Sequence, residues 1–488
     1  MVHPNQIFGG TMTSILFRSL IYVIILLASL APSAGAAPKY VFYFIGDGMG
    51  ASQRQFSEFF LREASGDPHA TLAMNRLTVA GLTSTHAADT LVTDSAAAAT
   101  ALATGQKTNK GFIAKDPQGK DLTTLIEAAE AGGLATGVIT TTRITHATPA
   151  AFLAHNLSRD NENDIALDIV NGQVEFLAGG GIRNFLPQGT QLDAKDVTGR
   201  GLKSRRDDSR DLLAEMKSQG YTTFIGAAGA KALPQTDFTK ITRALILPTM
   251  ANLPYDIERQ DRFPDCPSLA DLVEDGIDVL SQDPDGFFVM VEGGRIDHAC
   301  HANDPVAAIH GVLALDRAIE QALAFADKHP DDTLIVVVGD HETGGMGLGM
   351  DTHGYQLNLQ ALVSAKASIC AAFLRGPHKY KGDAAAFFAR LEQGYGMDHL
   401  TEDERAQLTK SMADADAGLK TGYYGYDPVA VTAARLLSER ANIFWTTTIH
   451  TATMVPLSAQ GPGALAFSGF KDNTRIAITL AEVMGLDL

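Results

Sequence analysis

Tyr40-Val41-Phe42-Tyr43-Phe44-Ile45 leads directly into Gly46-Asp47-Gly48-Met49-Gly50 near the start of the chain. An unbroken run of aromatic and β-branched residues is typical of a strand that is buried on both faces of a parallel sheet. The glycines that follow are turn residues, so the strand is expected to end there. Because ligands bind at the carboxyl ends of strands in open α/β sheets, Asp47 is the first candidate site residue.

Three more runs of this kind follow, at Ala135–Thr141, Phe287–Val291 and Leu334–Val338. Helical patterns lie between them, at Asp121–Ala131 and Asp304–His329. Strands that alternate with helices predict an α/β fold, in which helices cover a large, mainly parallel sheet as a three-layer α/β/α sandwich.

Two segments depart from this alternation. Residues 183–265 are predicted to be rich in loops. Residues 346–440 begin with closely spaced glycines and continue into a polar, charged region. We interpret this second segment as an insertion carried on a single catalytic domain that spans residues 37–488.

The first residues have the composition of a targeting segment. Arg18 precedes an apolar run from Leu20 to Ala31, and small residues follow up to Pro38. A basic flank, a short apolar core and an Ala-x-Ala site predict a secretory signal peptide over residues 1–36, with cleavage after Ala36. The protein is therefore expected to be exported, to the periplasm or the medium. An uncleaved anchor stays open as the alternative, although the run is short for a membrane-spanning helix.

The composition narrows the classes of partner. The 488 residues carry a formal net charge of −17, which disfavours nucleic acid and anionic lipid because no basic run is present to hold phosphates. No stable association with a membrane is expected once the signal is cleaved. The three cysteines, Cys266, Cys300 and Cys370, form no Cys-x-x-Cys pair, so a thiolate zinc site is disfavoured. A disulfide between two of them stays open.

Polar side chains follow each of the other predicted strands. Thr148 lies in the loop after the second strand, Glu292 ends the third, and Asp340 and His341 follow the fourth. Each strand would place a hard oxygen or an imidazole at one edge of the sheet. Carboxylates with histidines suit zinc, whereas carboxylates with a hydroxyl suit magnesium.

Asp297 and His301 are four residues apart, so on a helix they would share one face. A solvated charge pair is the simpler interpretation of such spacing alone, but the adjacent Glu292 and two glycines favour a ligand pair. His450 is a lone histidine, and its local sequence is equally typical of a core or surface residue.

Ser95 follows Asp94 and precedes a run of alanines. Locally this is a helix start, where Asp94 or Ser95 would be the N-cap. The functional interpretation is a nucleophile at a helix N-terminus, where free N–H groups favour a phosphoryl oxygen. A serine without a neighbouring base needs another means of losing its proton, and metal coordination is one.

Taken together, these motifs resemble the alkaline phosphatases over most of residues 38–350 and 443–488. Each motif alone is moderate support for this resemblance. Five motifs in the same order along the chain as in that family are strong support. The five are Gly46-Asp47-Gly48-Met49-Gly50, Thr93-Asp94-Ser95-Ala96-Ala97, Glu292-Gly293-Gly294-Arg295-Ile296-Asp297-His298, Gly339-Asp340-His341-Glu342-Thr343-Gly344-Gly345, and His450-Thr451 with Gly461-Pro462-Gly463-Ala464.

The resemblance implies hydrolysis of small phosphate monoesters, with broad tolerance, through a phosphoserine on Ser95. It also implies two zinc ions and one magnesium ion. By motif, the first zinc would be held by Asp297, His301 and His450, and the second by Asp47, Asp340 and His341. The magnesium would be held by Asp47, Thr148 and Glu292. Arg159 matches the arginine that clamps two phosphate oxygens, and Asp94 would orient it.

Two positions differ from the best-known bacterial pattern and match animal-type enzymes. His146 stands where an aspartate is usual, two residues before Thr148, and His298 stands where a lysine is usual. We expect His298 to weaken phosphate binding, because a cation near the phosphate is lost. We expect His146 to remove hydrogen bonds to the waters of the magnesium ion, so the occupancy of this third site is left undecided. The insertion is expected to lie near a dimer interface and the site entrance, which predicts a homodimer.

Other enzymes of the same superfamily are the nearest rivals: a phosphodiesterase, a sulfatase or a phosphomutase. A sulfatase needs a Cys/Ser-x-Pro-x-Arg context, which is absent around Ser95. Diesterases typically use threonine and lack the surroundings of Arg159. A rival of another class is a non-catalytic exported protein that binds metal or phosphate, which should lack the nucleophile or the clamp.

Overall fold

The computed structural model describes residues 37–351, 354–374, 379–422 and 424–488. The predicted signal peptide, residues 1–36, lies outside them. The strands are β1 Tyr40–Gly46, β2 Val79–Ser84, β3 Ala135–Arg143, β4 Phe176–Gly180, β5 Gln191–Lys195, β6 Gly201–Lys203, β7 Thr222–Ile225, β8 Ala244–Leu247, β9 Phe287–Glu292, β10 Thr333–Gly339, β11 Glu342–Thr343, β12 Met346–Leu348, β13 Ile443–Trp445, β14 His450–Thr451, β15 Val455–Gln460 and β16 Gly469–Asp472.

The α-helices alternate with these strands in the first half of the chain and dominate the predicted insertion. They are α1 Ala51–Ser65, α2 Ala73–Arg76, α3 Ser95–Thr104, α4 Leu125–Ala131, α5 Ala147–Leu153, α6 Glu162–Asn171, α7 Leu212–Ser218, α8 Gly226–Ala232, α9 Asp256–Arg262, α10 Leu269–Leu280, α11 Arg295–His301, α12 Pro305–Ala326, α13 Gln360–Val363, α14 Ala384–Gly394, α15 Glu402–Asp416, α16 Pro428–Arg440 and α17 Thr474–Met484.

Ten strands form one sheet in the order β16-β2-β15-β10-β1-β9-β3-β4-β8-β7. β15 runs antiparallel to β10 and β2, and the other neighbouring pairs are parallel. The predicted mainly parallel sheet is therefore confirmed. The four strands expected from sequence lie side by side in it, as β10-β1-β9-β3.

Helices cover both faces of the sheet, as the side chains of β1 require. Phe42 and Phe44 lie in one buried apolar core, whereas Val41, Tyr43 and Ile45 lie in the other. Successive residues of a strand point to opposite faces, so a strand that is apolar throughout must be covered on both. This confirms the three-layer α/β/α sandwich.

The register of the sheet brings the candidate residues to one edge. Gly46 pairs with Gly339, and Glu292 is opposite both Ile45 and Thr140. Because these strands are parallel and end level with one another, the residues that follow them emerge together. The sheet therefore acts as the frame of the site.

The strand and helix boundaries differ modestly from those predicted. α4 begins at Leu125 rather than Asp121, because the Thr124 side chain caps it and Glu127 completes a capping box. Residues 183–265 are less irregular than expected, since β7 and β8 within them join the main sheet. These strands span only four residues each.

The predicted insertion, residues 346–440, is mainly helical where it is described. Its Phe373, Phe387 and Leu408 side chains are buried in the same apolar core as Phe42. It begins at β12, which pairs with β13 just after the insertion ends. The segment is thus packed on the helical layer of one face.

All three cysteines are buried free thiols, so the disulfide that the sequence left open does not form. Within the described ranges, no helix is both long enough and apolar enough to cross a membrane.

Candidate active site

Asp47, Asp340 and His341 meet where β1 and β10 end, and we call them group A. His341 Nε2 lies 3.4 Å from Asp47 Oδ1 and 3.3 Å from Asp340 Oδ2. The backbone N–H groups of Gly48 and His341 donate to Asp340 Oδ1 at 3.0 and 2.8 Å, which leaves Oδ2 directed into the group. One ligand atom of each residue lies within 4.8 Å of the others, a spacing that suits a metal ion.

Asp297, His301 and His450 form group B. Asp297 and His301 lie one turn apart on α11, and His450 comes from β14, where it pairs with Thr343 of β11. His301 Nε2 is 3.2 Å from Asp297 Oδ2, and His450 Nε2 is 3.4 Å from Asp297 Oδ1. The His450 and His341 rings stack with their centroids 3.6 Å apart, so groups A and B adjoin.

The two imidazoles of group B are oriented by the backbone. His301 Nδ1 lies 2.7 Å from the Thr448 carbonyl oxygen, and His450 Nδ1 lies 2.8 Å from that of Thr93. A proton on each Nδ1 satisfies these carbonyls and leaves a lone pair on each Nε2. The two Nε2 atoms are 3.2 Å apart, close to the ~3.3 Å expected between two ligands of a tetrahedral zinc ion. Donation from Nδ1 to a carbonyl is also the usual support for a metal-bound histidine.

A third set of ligand atoms comes from Asp47, His146 and Glu292, which we call group C. The hydroxyls of Thr140 and Thr142 both donate to Glu292 Oε2, the second at 3.0 Å. Thr148 is a buried residue of α5, two positions after His146, which is the N-cap of this helix. The structure thus places a His146 ring nitrogen among the ligand atoms, where the sequence had assigned it a supporting position.

Several buried polar atoms of groups A and C, and the hydroxyl oxygen of Thr148, have no hydrogen-bond partner among the described residues. Such atoms are costly to bury unless a cation or a water compensates them. Their convergence, and their oxygen-rich chemistry, fit bound metal ions. The atoms are Asp47 Oδ1 and Oδ2, His146 Nδ1, Thr148 Oγ1, Glu292 Oε1 and Asp340 Oδ2.

The electrostatics of the carboxylates support the same conclusion. Burial, followed by the negative charge of Asp340, raises the pKa of Asp47 well above its ordinary value. Burial likewise raises the pKa of Asp340 and of Glu292. Burial also acts on Asp297, but its His301 and His450 neighbours hold its pKa well below the usual range. Bound cations would offset the negative charge that groups A and C concentrate, so the chemistry of these carboxylates fits metal ions.

The remaining histidines are held neutral. Burial and the neighbouring His450 lower the pKa of His341 well below its ordinary value. Burial, with the charge of Arg143, does the same for His146. Burial and the charge of Arg295 lower the pKa of His298 to about 3. A neutral imidazole has a lone pair to offer to a metal ion.

Ser95 is the first residue of α3 and is buried beside group A. Its Oγ lies 3.2 Å from His341 Nε2. Asp94 caps the helix, accepting from the Ala97 N–H through Oδ1 at 3.1 Å, and it accepts from Arg159 Nη1 through Oδ2 at 3.0 Å. The structure therefore brings the predicted nucleophile, the predicted clamp and its predicted orienting residue together.

Arg159 and the two unusual histidines face one cavity of about 420 Å³, which is also lined by Ser95. Arg159 Nη2 lies 3.4 Å from His146 Nε2, and the His146 and His298 rings have centroids 5.4 Å apart. Every residue proposed for the site from sequence thus lies in or beside this cavity or the three groups.

Sequence reasoning missed other residues of the site. Thr343 Oγ1 donates to Asp297 Oδ1 at 2.6 Å and lies 3.3 Å from His341 Nδ1, so it contacts groups A and B together. Lys379, Lys420 and Tyr424 of the predicted insertion line the cavity as well. Thr343 was within a quoted motif, but the insertion offered no motif that would have indicated its residues.

Comparison with known proteins identifies the family of the chain. The family model for alkaline phosphatase matches residues 38–486. The repressible alkaline phosphatase of Saccharomyces cerevisiae is 31% identical, covering 93% of this chain and 83% of the relative. Alkaline phosphatase 3 of Bacillus subtilis is 33% identical, covering 90% of this chain and 87% of the relative.

Solved structures show the same fold. The Thermus thermophilus alkaline phosphatase superposes with a TM-score of 0.77 at 30% identity, covering 94% of this chain and 93% of that one. A cold-active alkaline phosphatase from Shewanella sp. gives 0.75 at 31% identity, covering 91% and 99%. The resemblance found in the motifs is confirmed: this chain belongs to the alkaline phosphatase family and is a metal-dependent enzyme that hydrolyses phosphate esters.

Proposed function

We propose that this enzyme hydrolyses phosphate monoesters through a phosphoserine formed on Ser95, releasing an alcohol and inorganic phosphate. The observation that supports this most directly is the position of Ser95 Oγ, 3.2 Å from His341 Nε2 at the edge of group A. The imidazole beside this hydroxyl is itself a candidate metal ligand, so we assign the activation of Ser95 to a metal ion held by group A and not to His341 as a base.

Two zinc ions would be held by group A and by group B, and a magnesium ion by Asp47, Glu292 and Thr148. The unpartnered oxygens and paired imidazole nitrogens described above fit these ions. When bound, the metals lower the pKa of the serine hydroxyl and neutralise charge on the phosphate. A ring nitrogen of His146 lies among the ligand atoms of the magnesium site. Metal analysis of the purified enzyme tests whether that site is occupied.

The residues of the chain perform the remaining steps. Arg159 binds two non-bridging phosphate oxygens, and Asp94 holds the guanidinium in place for this. Ser95 Oγ attacks phosphorus, the ester bond breaks, and the alcohol leaves. Water then attacks the phosphoserine, so that phosphate departs and the Ser95 hydroxyl is restored. The N-terminal N–H groups of α3 favour the negative charge throughout.

In this scheme the enzyme binds the phosphate group and needs few contacts with the alcohol, which is consistent with broad specificity. A monoester has three non-bridging oxygens for the metals and Arg159, whereas a diester has two. We therefore favour monoesters over diesters as substrates. We disfavour a binding protein without catalysis, because Ser95 and Arg159 line the same cavity, as a nucleophile and a phosphate clamp would.

The test is hydrolysis of p-nitrophenyl phosphate by the wild type and by Ser95→Ala, each with and without EDTA. We expect activity in the untreated wild type alone. Ser57→Ala is a matched control, because the buried Ser57 hydroxyl donates only within its own helix, to the Gln53 carbonyl at 2.8 Å. Bis(p-nitrophenyl) phosphate is the diester comparison.

Full activity in Ser95→Ala would refute the serine mechanism, and activity that survives EDTA with all metal removed would refute the metal role. Faster hydrolysis of the diester would favour a phosphodiesterase. Mass spectrometry after acid quenching should find phosphate on Ser95.

We further propose that the mature enzyme is an exported homodimer that begins at Ala37. The arguments are the composition of residues 1–36 and the helical insertion beside the site. N-terminal sequencing of the exported protein and sedimentation analysis test the two statements separately. An intact N-terminus would favour the anchor, and a monomer would contradict the dimer.

A further inference from the structure

The outer wall of the cavity is built by the predicted insertion rather than by the sheet. The insertion contributes Lys379, Lys420, Tyr424 and Asp427 to the lining, of which Lys420 and Tyr424 are exposed, whereas Ser95 in the same lining is buried. The alcohol of a bound monoester, whose phosphate lies between Ser95 and Arg159 before the ester bond breaks, would extend toward these insertion residues. Their charges therefore bear on which leaving groups the cavity accepts.

The acidic member of this wall is already engaged. Asp427 caps α16, accepting from the Val429 and Ala430 N–H groups at 3.0 and 3.3 Å, and it pairs with Lys379 at 3.5 Å. Lys420 is exposed and forms no ion pair with any residue that the structure describes. The wall thus has one net positive charge, in a chain whose net charge is −17.

The backbone fixes Lys420 at this position. Thr421 and Tyr426 exchange two backbone hydrogen bonds, of 3.0 and 2.8 Å, which join the two ends of a turn that follows Lys420. Gly422 in that turn packs so closely on Thr448 that a Cβ atom would lie 2.6 Å from its hydroxyl oxygen. Thr448 is the residue whose carbonyl oxygen orients His301 of group B.

The same turn places an aromatic ring over the metal ligands. The Tyr424 ring packs edge-on against His301, with centroids 4.6 Å apart. The Tyr424 ring is therefore held against group B, and the backbone bonds of Thr421 position the neighbouring Lys420 at the cavity while its side chain stays exposed.

We propose that Lys420 makes the enzyme prefer phosphate monoesters whose alcohol carries a second anionic group, such as a carboxylate or another phosphate. The proposal rests on the monoester hydrolysis proposed above and adds the class of leaving group. The leaving alcohol would place its own negative charge beside the Lys420 ammonium group while its phosphate is held by Arg159.

The test compares phenyl phosphate with 4-carboxyphenyl phosphate, which differ by one carboxylate on the leaving group. For the wild type and for Lys420→Met, the ratio of the two kcat/KM values is measured at low ionic strength. We expect the substitution to lower the ratio of charged to neutral substrate about twofold to fivefold, the range for one exposed ion pair. Intrinsic differences between the two leaving groups cancel in this comparison.

A third substrate, 4-(trimethylammonio)phenyl phosphate, carries a positive charge on its leaving group, so the effect of Lys420 on its kcat/KM should be the reverse. Its ratio to phenyl phosphate should rise in Lys420→Met, which a purely structural effect of the substitution would not produce. Lys420→Arg should retain the wild-type ratios. Salt at 0.5 M should lower the ratio for the carboxylate substrate and raise it for the trimethylammonio substrate, because the lysine is exposed to solvent. Doubly charged 4-phosphonophenyl phosphate shows whether a phosphoryl group is favoured over a carboxylate.

Lys410→Ala is the matched control, because Lys410 is an exposed lysine of α15 that does not line the cavity. Unchanged ratios for both charged substrates in Lys420→Met would overturn the inference while leaving monoester hydrolysis intact. A wild type that does not hydrolyse phenyl phosphate would instead overturn the proposed function, and the inference with it.

Discussion

The replacement Asp94→Asn separates two tasks that Asp94 performs with its two carboxylate oxygens. Oδ1 accepts from the backbone N–H groups of Ala97 and Gly111, at 3.1 and 3.2 Å. Oδ2 accepts from Arg159 Nη1 at 3.0 Å. Because two N–H donors face Oδ1, asparagine must keep its oxygen there and turn its NH₂ group toward the guanidinium. The helix cap is retained, and Arg159 loses its acceptor.

The size of the effect follows from this geometry. A hydrogen bond between charged groups contributes about 1.5–3 kcal/mol, and the pair is only partly exposed, at 8% for Asp94 and 24% for Arg159. We take the lower value, about 1.5 kcal/mol, which corresponds to roughly tenfold in affinity. The clamp holds phosphate in substrate, transition state and product alike, so KM should rise while kcat does not fall.

The assay is inhibition of p-nitrophenyl phosphate hydrolysis by inorganic phosphate. We expect the phosphate inhibition constant of Asp94→Asn to rise about tenfold, with KM following it and the melting temperature nearly unchanged. Asp94→Ala should show the same kinetics and lose a further ~1 kcal/mol of stability with the cap. Asp211→Asn, at the N-cap of α7, is the control and should change neither. An unchanged inhibition constant would refute the orienting role of Asp94.

Three further predictions concern metal binding, pH and strain. Thr343→Val removes the 2.6 Å hydrogen bond to Asp297 and should weaken zinc binding about 10- to 100-fold in a chelator competition assay; unchanged zinc affinity would contradict this. Burial raises the pKa of Asp316 from 3.8 to about 6, so its contribution to stability is full below pH ~4 and is lost as the pH rises through 6. Asp316→Asn should therefore gain about 3 kcal/mol relative to the wild type between pH 3 and 7 in denaturant titrations, and parallel pH curves would refute it. Gly286 and Gly133 both have positive φ, but only at Gly286 would a Cβ atom meet a backbone oxygen, at 1.9 Å. Alanine should therefore cost ~3 kcal/mol or more at Gly286 and ~1 kcal/mol at Gly133, and equal losses of melting temperature would contradict this.

The centre of the sheet was predictable because its strands are long and apolar on both faces. β1, β9 and β10 have every residue buried, so neither polar alternation nor a break obscures their pattern. β7 spans only four residues with a mixed burial pattern, and β16 is largely exposed. Such strands are defined by their neighbours in the sheet, which the local sequence does not reveal.

The candidate ligands also fall into two classes, those that the local sequence indicates and those that it does not. Asp47, Glu292 and Asp340 could be predicted from the strands that they follow, because parallel strands bring their carboxyl ends together. His450 has no such local signal. It reaches group B through the pairing of β14 with β11, between residues more than a hundred positions apart in the chain. Only the resemblance to a known family indicated it before the structure.

The cavity therefore has an inner half and an outer half of different origin. The inner half is fixed by sheet register, which aligns Gly46 with Gly339 and places groups A and C at one edge. The outer half is fixed by a turn of the insertion that packs on Thr448. Since Lys420 contributes to the outer half only, its replacement should change the choice of leaving group without changing the bound metal. Ser95→Ala should instead abolish turnover for every leaving group, so the two substitutions separate specificity from chemistry in the same cavity.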